Sequence, residues 1–449
     1  MTKVGFISLG CSKNLVDTEL MLHKLYSEGF EITPEESEAE IIIVNTCGFI
    51  ESAKQESIDN ILDAESLKKY GKCKHIIATG CLVERYREAV MDELVELDGI
   101  IGVGSLDEIA NACRAVLRGE KFVSLKDKEK MELGGDRILT TEPHTAYLKI
   151  AEGCDNKCTY CAIPMIRGKF RSRTVESIVA EAKDLEKMGV KELNRIAQDT
   201  TRYGLDIYGK YSLAELVRAI IRETQIPWIR LLYCYPDKIT DELIELMRES
   251  DRLVKYMDIP IQHISDTVLT RMNRHGGSQL IKETVKKLRS RVPGIVLRTT
   301  AMVGFPGESE EDFAELCEYV KETEFDRFGA FTYSSEEGTA AVELDGAVDE
   351  QTKQDRYDIL MQTQLTVTEA KNEQKIGKTL TVLIDGYDVV AEIYYGRSYA
   401  DAPDVDGRVY FSSKRKLSAG EFVRVLVKEA LDFDLVGECV DSSLILIFA

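Results

Sequence analysis

The chain has 449 residues, 44% of them hydrophobic and 30% charged, with 9 prolines, which excludes a disordered or fibrous polypeptide and predicts two to four domains. Its 58 Lys and Arg against 78 Asp and Glu give a net charge of −20, which argues against nucleic-acid capture by a uniformly basic surface and favours a cationic protein partner. No window approaches the ~18 apolar residues of a membrane span, and Met1 leads through Thr2 and Lys3 into a strand-like VGFISL segment, so a cytoplasmic protein is expected, whose 11 cysteines are not disulfides.

Residues 1–122 alternate short β-branched runs with amphipathic stretches: Val4–Leu9, Ile41–Thr46, His75–Gly80 and Gly99–Gly104, each followed by a helical pattern. This predicts a doubly wound α/β domain. Cys11, Cys47 and Cys81 each fall just past one of the first three strands, in LGC, NTC and TGC. In a parallel sheet those ends share one edge, where ligands bind. Three buried structural thiols are the plainer alternative; the repeated placement favours a shared cluster site. A charged stretch with a Gly-Gly pair, Lys126–Arg137, marks a linker spanning residues 123–140.

From 141 to 376 the alternation resumes, with candidate strands Ala146–Ile150, Glu192–Ala197, Trp228–Leu232, Tyr256–Ile259, Val296–Met302 and Gly329–Tyr333, then one long polar helix, Gln351–Lys375. Six strands fall short of a full eight-stranded barrel, so a partial barrel is predicted. Residues 377–449 read as short alternating strands, including a last run at Leu444–Phe448, and predict a small all-β barrel of OB-like size. Its 8 Lys/Arg and 12 Asp/Glu make it acidic.

The sharpest motif is EGCDNKCTYCAIP, which places Cys154, Cys158 and Cys161 on one loop after the first barrel strand. Three thiolates can hold three irons of a [4Fe–4S] cluster and leave the fourth iron open to a substrate. Zinc is the rival, but a closed zinc site needs a fourth ligand, and the nearest histidine, His144, lies across a strand. Gln198 and Asp199 end the second barrel strand, where they can bind cofactor or substrate, or cap the next helix. Gly304 and Gly307 sit in a turn after a strand, which admits a cofactor close to the backbone or simply makes the turn. Arg195 stands where an aliphatic residue is expected, so either the strand starts after it or its guanidinium snorkels. Cys73, Cys113, Cys234, Cys317 and Cys439 show no convergence.

The cysteine loop and partial (βα)6 barrel resemble the radical S-adenosylmethionine enzymes. That resemblance implies that the open iron binds S-adenosylmethionine, and that Tyr160 packs near the adenine, although it can equally anchor the loop. The whole chain resembles the methylthiotransferases, with an N-terminal cluster domain, a radical barrel and a C-terminal TRAM barrel. SLGCSKNLVDTE, CAIPMIRGKFRSR, IPIQHISDTVLTRMNR and RSYADAPDVDG look like the branch that modifies an aspartate of protein twelve of the small ribosomal subunit, rather than the branch that modifies adenosine in transfer RNA, where Ser12-Lys13 are usually glutamine-methionine. The resemblance implies two [4Fe–4S] clusters, on Cys154/Cys158/Cys161 and on Cys11/Cys47/Cys81. It implies two S-adenosylmethionine molecules per turnover and a low-potential electron donor such as flavodoxin or ferredoxin. A net charge of −4 on the terminal barrel disfavours RNA contact, and a non-catalytic iron–sulfur protein associated with ribosomes is the remaining alternative.

Overall fold

The computed structural model describes residues 1–440; the strand expected at Leu444–Phe448 lies outside them. The first sheet contains β1 (Lys3–Ser8), β2 (Glu31–Ile32), β3 (Ile41–Thr46), β4 (His75–Gly80), β5 (Gly99–Ile101) and β6 (Phe122–Ser124). They pair in parallel in the order β2-β1-β3-β4-β5-β6. Every residue of β3 is buried, as an apolar run covered by helices on both faces requires. Sequence periodicity missed β2 and β6, which span two and three residues and are too short to show an alternation.

Helix α1 (Ser12–Ser27) joins the domains. Met21 and Leu25 pack with Val4 and Ile41 on the first sheet. Val16, on another side, packs with Tyr147, Trp228 and Tyr256 of the central sheet and Leu383 of the terminal barrel. Helix α2 (Glu51–Tyr70) and helix α3 (Cys81–Tyr86) follow β3 and β4.

The central sheet is the six-stranded partial barrel: β7 (Thr145–Lys149), then, after a two-residue ladder of β8 (Ala151–Glu152) and β9 (Arg171–Ser172), β10 (Glu192–Ile196), β11 (Trp228–Leu231), β12 (Leu253–Asp258), β13 (Val296–Val303) and β14 (Arg327–Thr332). One face, with Leu148, Leu193, Leu231 and Leu297, meets the surrounding helices in the largest apolar core. The opposite face carries Tyr147, Asn194, Arg230 and Tyr256, all buried.

The terminal barrel closes in the order β15 (Thr379–Asp388), β16 (Ile393–Ser398), β17 (Val409–Ser412), β19 (Leu435–Cys439), β18 (Phe422–Ala430). It is anchored under the central sheet through Arg397, which binds Glu192 at 2.5 Å and Asp385 at 2.9 Å, and through an edge-to-face contact of Phe422 with Trp228 at 4.9 Å.

Both readings of Arg195 fail. The residue lies inside β10, and its guanidinium does not reach solvent, since the residue is 0% exposed with Nε, Nη1 and Nη2 all unpartnered. Its register partners Leu148 and Leu231 place it on the helix-covered face of the sheet.

Candidate active site between two cysteine triads

The loop carrying Cys154, Cys158 and Cys161 leaves β8 at Gly153, whose φ of +79° and whose hypothetical Cβ, 2.1 Å from the Lys169 carbonyl oxygen, admit no side chain. The Cys154 N–H donates to the Gly168 carbonyl and the Cys161 N–H to the Cys158 carbonyl, each at 3.1 Å. Thr159 N–H reaches Met272 O at 3.1 Å, and Asn273 Nδ2 reaches Lys157 O at 2.9 Å, so the loop is tied to the barrel mouth. Cys158 Sγ meets Tyr235 Oη at 3.4 Å, and Arg274 stacks on that tyrosine ring at 4.0 Å. Burial pushes the Cys154 thiol up to about 12, aided by Asp199 and Cys158, and raises Cys161 further, with Cys158 and Cys154 adding to it. These thiols therefore stay protonated unless a metal displaces the proton.

On the first sheet, Cys11 precedes α1, Cys47 follows β3 and Cys81 opens α3, at the C-terminal ends of three neighbouring strands. Gly10, with φ +84° and a hypothetical Cβ 2.9 Å from Cys47 Cβ, lets the first loop lie against the second. Asn14 Nδ2 fastens the two by donating to Leu9 O at 2.7 Å and Thr46 O at 3.2 Å. Desolvation opposes ionisation of Cys11, but the cations of Lys13 and Arg167, with the helix N–H groups of Asn14 and Lys13, outweigh it and draw the thiol below its ordinary value. Cys81 is pushed up to about 12 by burial, and the Cys11 and Cys47 thiols add to that shift. Among the described residues no three His, Cys, Asp or Glu side chains close around a single ion; thiols that serve a four-iron cube stand at its separate corners rather than converging on one point.

A buried ionic network joins the Cys81 turn of the first sheet to the strand that leads into the Cys154 loop. Arg167, six residues past Cys161, donates from Nη2 to Cys81 Sγ at 3.2 Å and to Asn14 Oδ1 at 3.1 Å. Its Nη1 lies 2.6 Å from Asp17 and 3.3 Å from Glu152. Lys149 bridges the same two carboxylates at 2.5 and 2.9 Å. Glu336, after β14, makes a second clasp: it pairs with Arg85 at 2.8 Å and Lys54 at 3.2 Å, and accepts the Glu51 N–H at 2.8 Å. Apart from Cys81, none of these residues was marked as functional by the sequence. The available signal was Lys149, a charge inside an otherwise apolar strand.

Gln198 Nε2 donates to Glu152 at 2.5 Å, while its buried Oε1 has no partner. Asp199 is fully buried, accepts the Thr201 N–H that starts a one-turn helix, and holds Asn156 of the cysteine loop at 2.8 Å. Its position is thus that of a cap and a brace. Tyr160 lies edge-on to Phe305 at 6.4 Å in an apolar cluster with Met272 and Met302. Gly304 and Gly307 have φ of +71° and +84°, and hypothetical Cβ atoms there would meet Lys353 at 2.2 Å and Arg271 at 2.7 Å. Protein packing alone accounts for both glycines. Glu308 Oε2 secures the turn by accepting the Gly304 N–H at 2.9 Å.

The donor sets fit sulfur-ligated iron. Each is three thiols, one flanked by Arg167 and helix N–H dipoles, the other by Tyr235 and Arg274, surroundings that favour an anionic cluster. The radical SAM superfamily model matches residues 148–320, the uncharacterized protein family UPF0004 matches 3–102, and the TRAM domain matches 376–440. Among solved structures, the radical S-adenosylmethionine methyltransferase TsrM from Kitasatospora setae is similar, with a TM-score of 0.55 at 14% identity, covering 74% of this chain and 73% of that one. This likeness concerns the fold. Barrel, loop and family model together define a radical S-adenosylmethionine protein.

The ribosomal protein uS12 methylthiotransferase RimO of Pelotomaculum thermopropionicum is 49% identical over 440 residues, covering 98% of this chain and 99% of the relative. That of Thermoanaerobacter sp. (strain X514) is 48% identical over 439 residues, covering 98% and 100%. The chain belongs to the ribosomal protein uS12 methylthiotransferase RimO family.

Proposed function

We propose that this enzyme adds a methylthio group to the β-carbon of an aspartate in ribosomal protein uS12. In this reading Cys154, Cys158 and Cys161 hold one [4Fe–4S] cluster and Cys11, Cys47 and Cys81 hold a second. The observation that carries it is the placement of two cysteine triads from separate sheets on one domain junction, bridged by Arg167 through Cys81 and Glu152. When bound, the clusters and S-adenosylmethionine supply a radical that removes hydrogen from an unactivated carbon and a sulfur that replaces it.

The chain's own residues do the rest. The loop fixed at Gly153 and Thr159 keeps one triad at the barrel mouth, and Asn14 and Gly10 hold the Cys11 and Cys47 turns of the other together. Tyr160 and Gln198 line the cofactor side, Asp199 braces the cysteine loop through Asn156, and Gly304 and Gly307 shape the wall. The ionic side chains of the junction, Asp17, Lys149, Glu152 and Arg167, are buried, and water kept from the reacting carbon would let it meet its intended partner first.

The domains follow as 1–122, a linker of 123–140, 141–376 and 377–449. A low-potential protein such as flavodoxin or ferredoxin would deliver electrons, and a cytoplasmic location matches a ribosomal substrate. No helix among the described residues is long and apolar enough to cross a membrane. The acidity of the chain, −20 overall, suits the steering of a basic ribosomal protein.

Anaerobically reconstituted enzyme should hold about eight irons per chain. With S-adenosylmethionine and a reductant it should add the mass of a methylthio group to uS12, free or within ribosomes. About four irons would remove the second cluster. A mass gain on hypomodified transfer RNA alone would reverse the substrate choice.

A further inference from the structure

The buried junction holds a third cation, Lys13, that has no carboxylate of its own and whose other favourable charges are the Cys11 thiol and the already engaged Glu152. Asp17 and Glu152 are balanced by Lys149 and Arg167, and every carboxylate oxygen of Glu152 is engaged, one by Gln198 and the other by Lys149 and Arg167. Lys13, on the first turn of α1, is 8% exposed, yet makes no ion pair among the described residues. Its Nζ lies 3.4 Å from the centroid of the Tyr233 ring. Tyr233 follows β11 and is held at φ +60°, a conformation costly to a non-glycine residue and tolerated where surrounding structure imposes it. Two polar groups on the same junction are also left open: the buried Ser12 Oγ and Gln198 Oε1 have no hydrogen-bond partners.

A ring face compensates an ammonium far less than a carboxylate does, and an uncompensated buried charge is expensive. The position of Lys13 supplies the reason to keep it. It is two residues from Cys11, and its ring partner stands at the mouth of the barrel beside Thr200, whose N–H donates to Tyr233 O at 3.0 Å. The ammonium therefore lies beside the Cys11 turn and at the C-terminal end of β11, on the junction between the two sheets whose strand ends carry the triads.

We propose that Lys13 is the substrate-anchoring residue of this enzyme: its ammonium, backed by the Tyr233 ring, binds the carboxylate of the side chain whose β-carbon is modified. This rests on the aspartate reading above and adds the group that reads the carboxylate. The anchor fixes one end of a short side chain, so the neighbouring carbon is presented to both triads, and an amide in place of the carboxylate loses the charge-assisted bond.

The test is a crossed comparison of two enzymes and two substrates. Reconstituted wild type and Lys13→Gln are titrated anaerobically with uS12 carrying its target aspartate or an asparagine there, and separately with S-adenosylmethionine. Wild type should bind the aspartate form about 10- to 100-fold more tightly. In Lys13→Gln, compared at equal iron loading because the Lys13 charge also lowers the Cys11 thiol, that preference should fall to about one, with affinity for the asparagine form and for S-adenosylmethionine unchanged; Lys13→Arg should restore part of the preference. A preference that survives Lys13→Gln overturns the proposal. A loss of S-adenosylmethionine affinity with the preference intact also overturns it, by assigning the ammonium to the cofactor's carboxylate. Iron lost from Lys13→Gln and retained by Lys13→Arg, with no aspartate preference in the latter, assigns the charge to the cluster and equally overturns it. Wild type that binds neither form overturns the functional reading itself.

Discussion

Arg195 provides a quantitative test of how this barrel is packed. Its side chain lies on the helix-covered face of β10 between Leu148 and Leu231, with all three guanidinium nitrogens unpartnered. Burial lowers its pKa from the ordinary guanidinium value to about 9, opposed only by Cys234. That difference amounts to about 5 kcal/mol between the folded and unfolded states. Arg195→Met, which keeps an unbranched stem and discards the charge, is therefore expected to stabilise the barrel by up to about 5 kcal/mol. A chain of several domains has no single unfolding free energy. The assay is therefore native-state hydrogen exchange at the amides of Glu192–Ile196, compared between wild type and variant.

The pH dependence supplies the sign. A basic group with a lowered folded pKa carries its full penalty below that pKa and loses it as pH rises toward the unfolded value. The gain from Arg195→Met should be constant from pH 6 to 8 and shrink above 9 by about 1.4 kcal/mol per pH unit. No gain at pH 7, or a gain undiminished at pH 10.5, would refute the placement of an unpaired guanidinium.

Other expectations concern the junction. Cys154→Ala should abolish S-adenosylmethionine cleavage, whereas Cys47→Ala should leave cleavage measurable and stop thiolation; equal cleavage by wild type and Cys154→Ala would refute the division of roles. Gly153→Ala forces a Cβ into the Lys169 carbonyl at a positive φ, and should lower iron content from the barrel triad, measured by iron analysis in a Cys47→Ala background, while the first sheet's share, measured in a Cys154→Ala background, stays intact. Glu336→Gln should speed hydrogen exchange at Glu51–Lys54 by loosening the clasp. In wild type, hydrogen bonds from Ser334, Arg85 and Lys54 and the Lys54 charge outweigh burial and hold the Glu336 carboxyl below its ordinary value. That clasp should therefore be intact above the usual carboxylate range and release as pH falls through the lowered pKa, and a release that instead begins near neutral pH would contradict it.

Residues that announce themselves by spacing were legible in the sequence: the C-x3-C-x2-C loop, the cysteines after β1, β3 and β4, and the strands whose apolar runs are long enough to show a pattern. Strand β19 was not, because five residues with a central Gly437 carry no alternation, and its place between β17 and β18 is set by long-range pairing. The junction was invisible for a different reason. Asp17 and Glu19 sit on a helix whose charges would ordinarily face water, yet both are 1% exposed. Their partners Lys149, Arg167 and Arg137 lie more than a hundred residues away, and nothing in local sequence reports a partner at that distance. Arg195 was legible as an anomaly but not as a buried one, since solvent access is a property of the helices packed outside the strand.

An ionic junction between the two sheets is a costly way to hold domains together, because desolvating Asp17, Glu152, Lys149 and Arg167 offsets much of their mutual attraction, and apolar residues of equal volume would hold as well or better. What an apolar face cannot supply is a single orientation. Hydrophobic contact tolerates sliding, whereas Arg167 meets Asp17, Glu152, Asn14 and Cys81 at one setting of the domains only. A shift of an ångström or two would strand several buried charges at once. The network therefore fixes how the Cys81 turn sits against the strand leading into the Cys154 loop, and under the proposed function it would set the spacing on which transfer between the triads depends. Lys13 lies on the helix that belongs to both cores, so a side chain held by its ammonium would be placed on the same junction that carries the two proposed cluster sites.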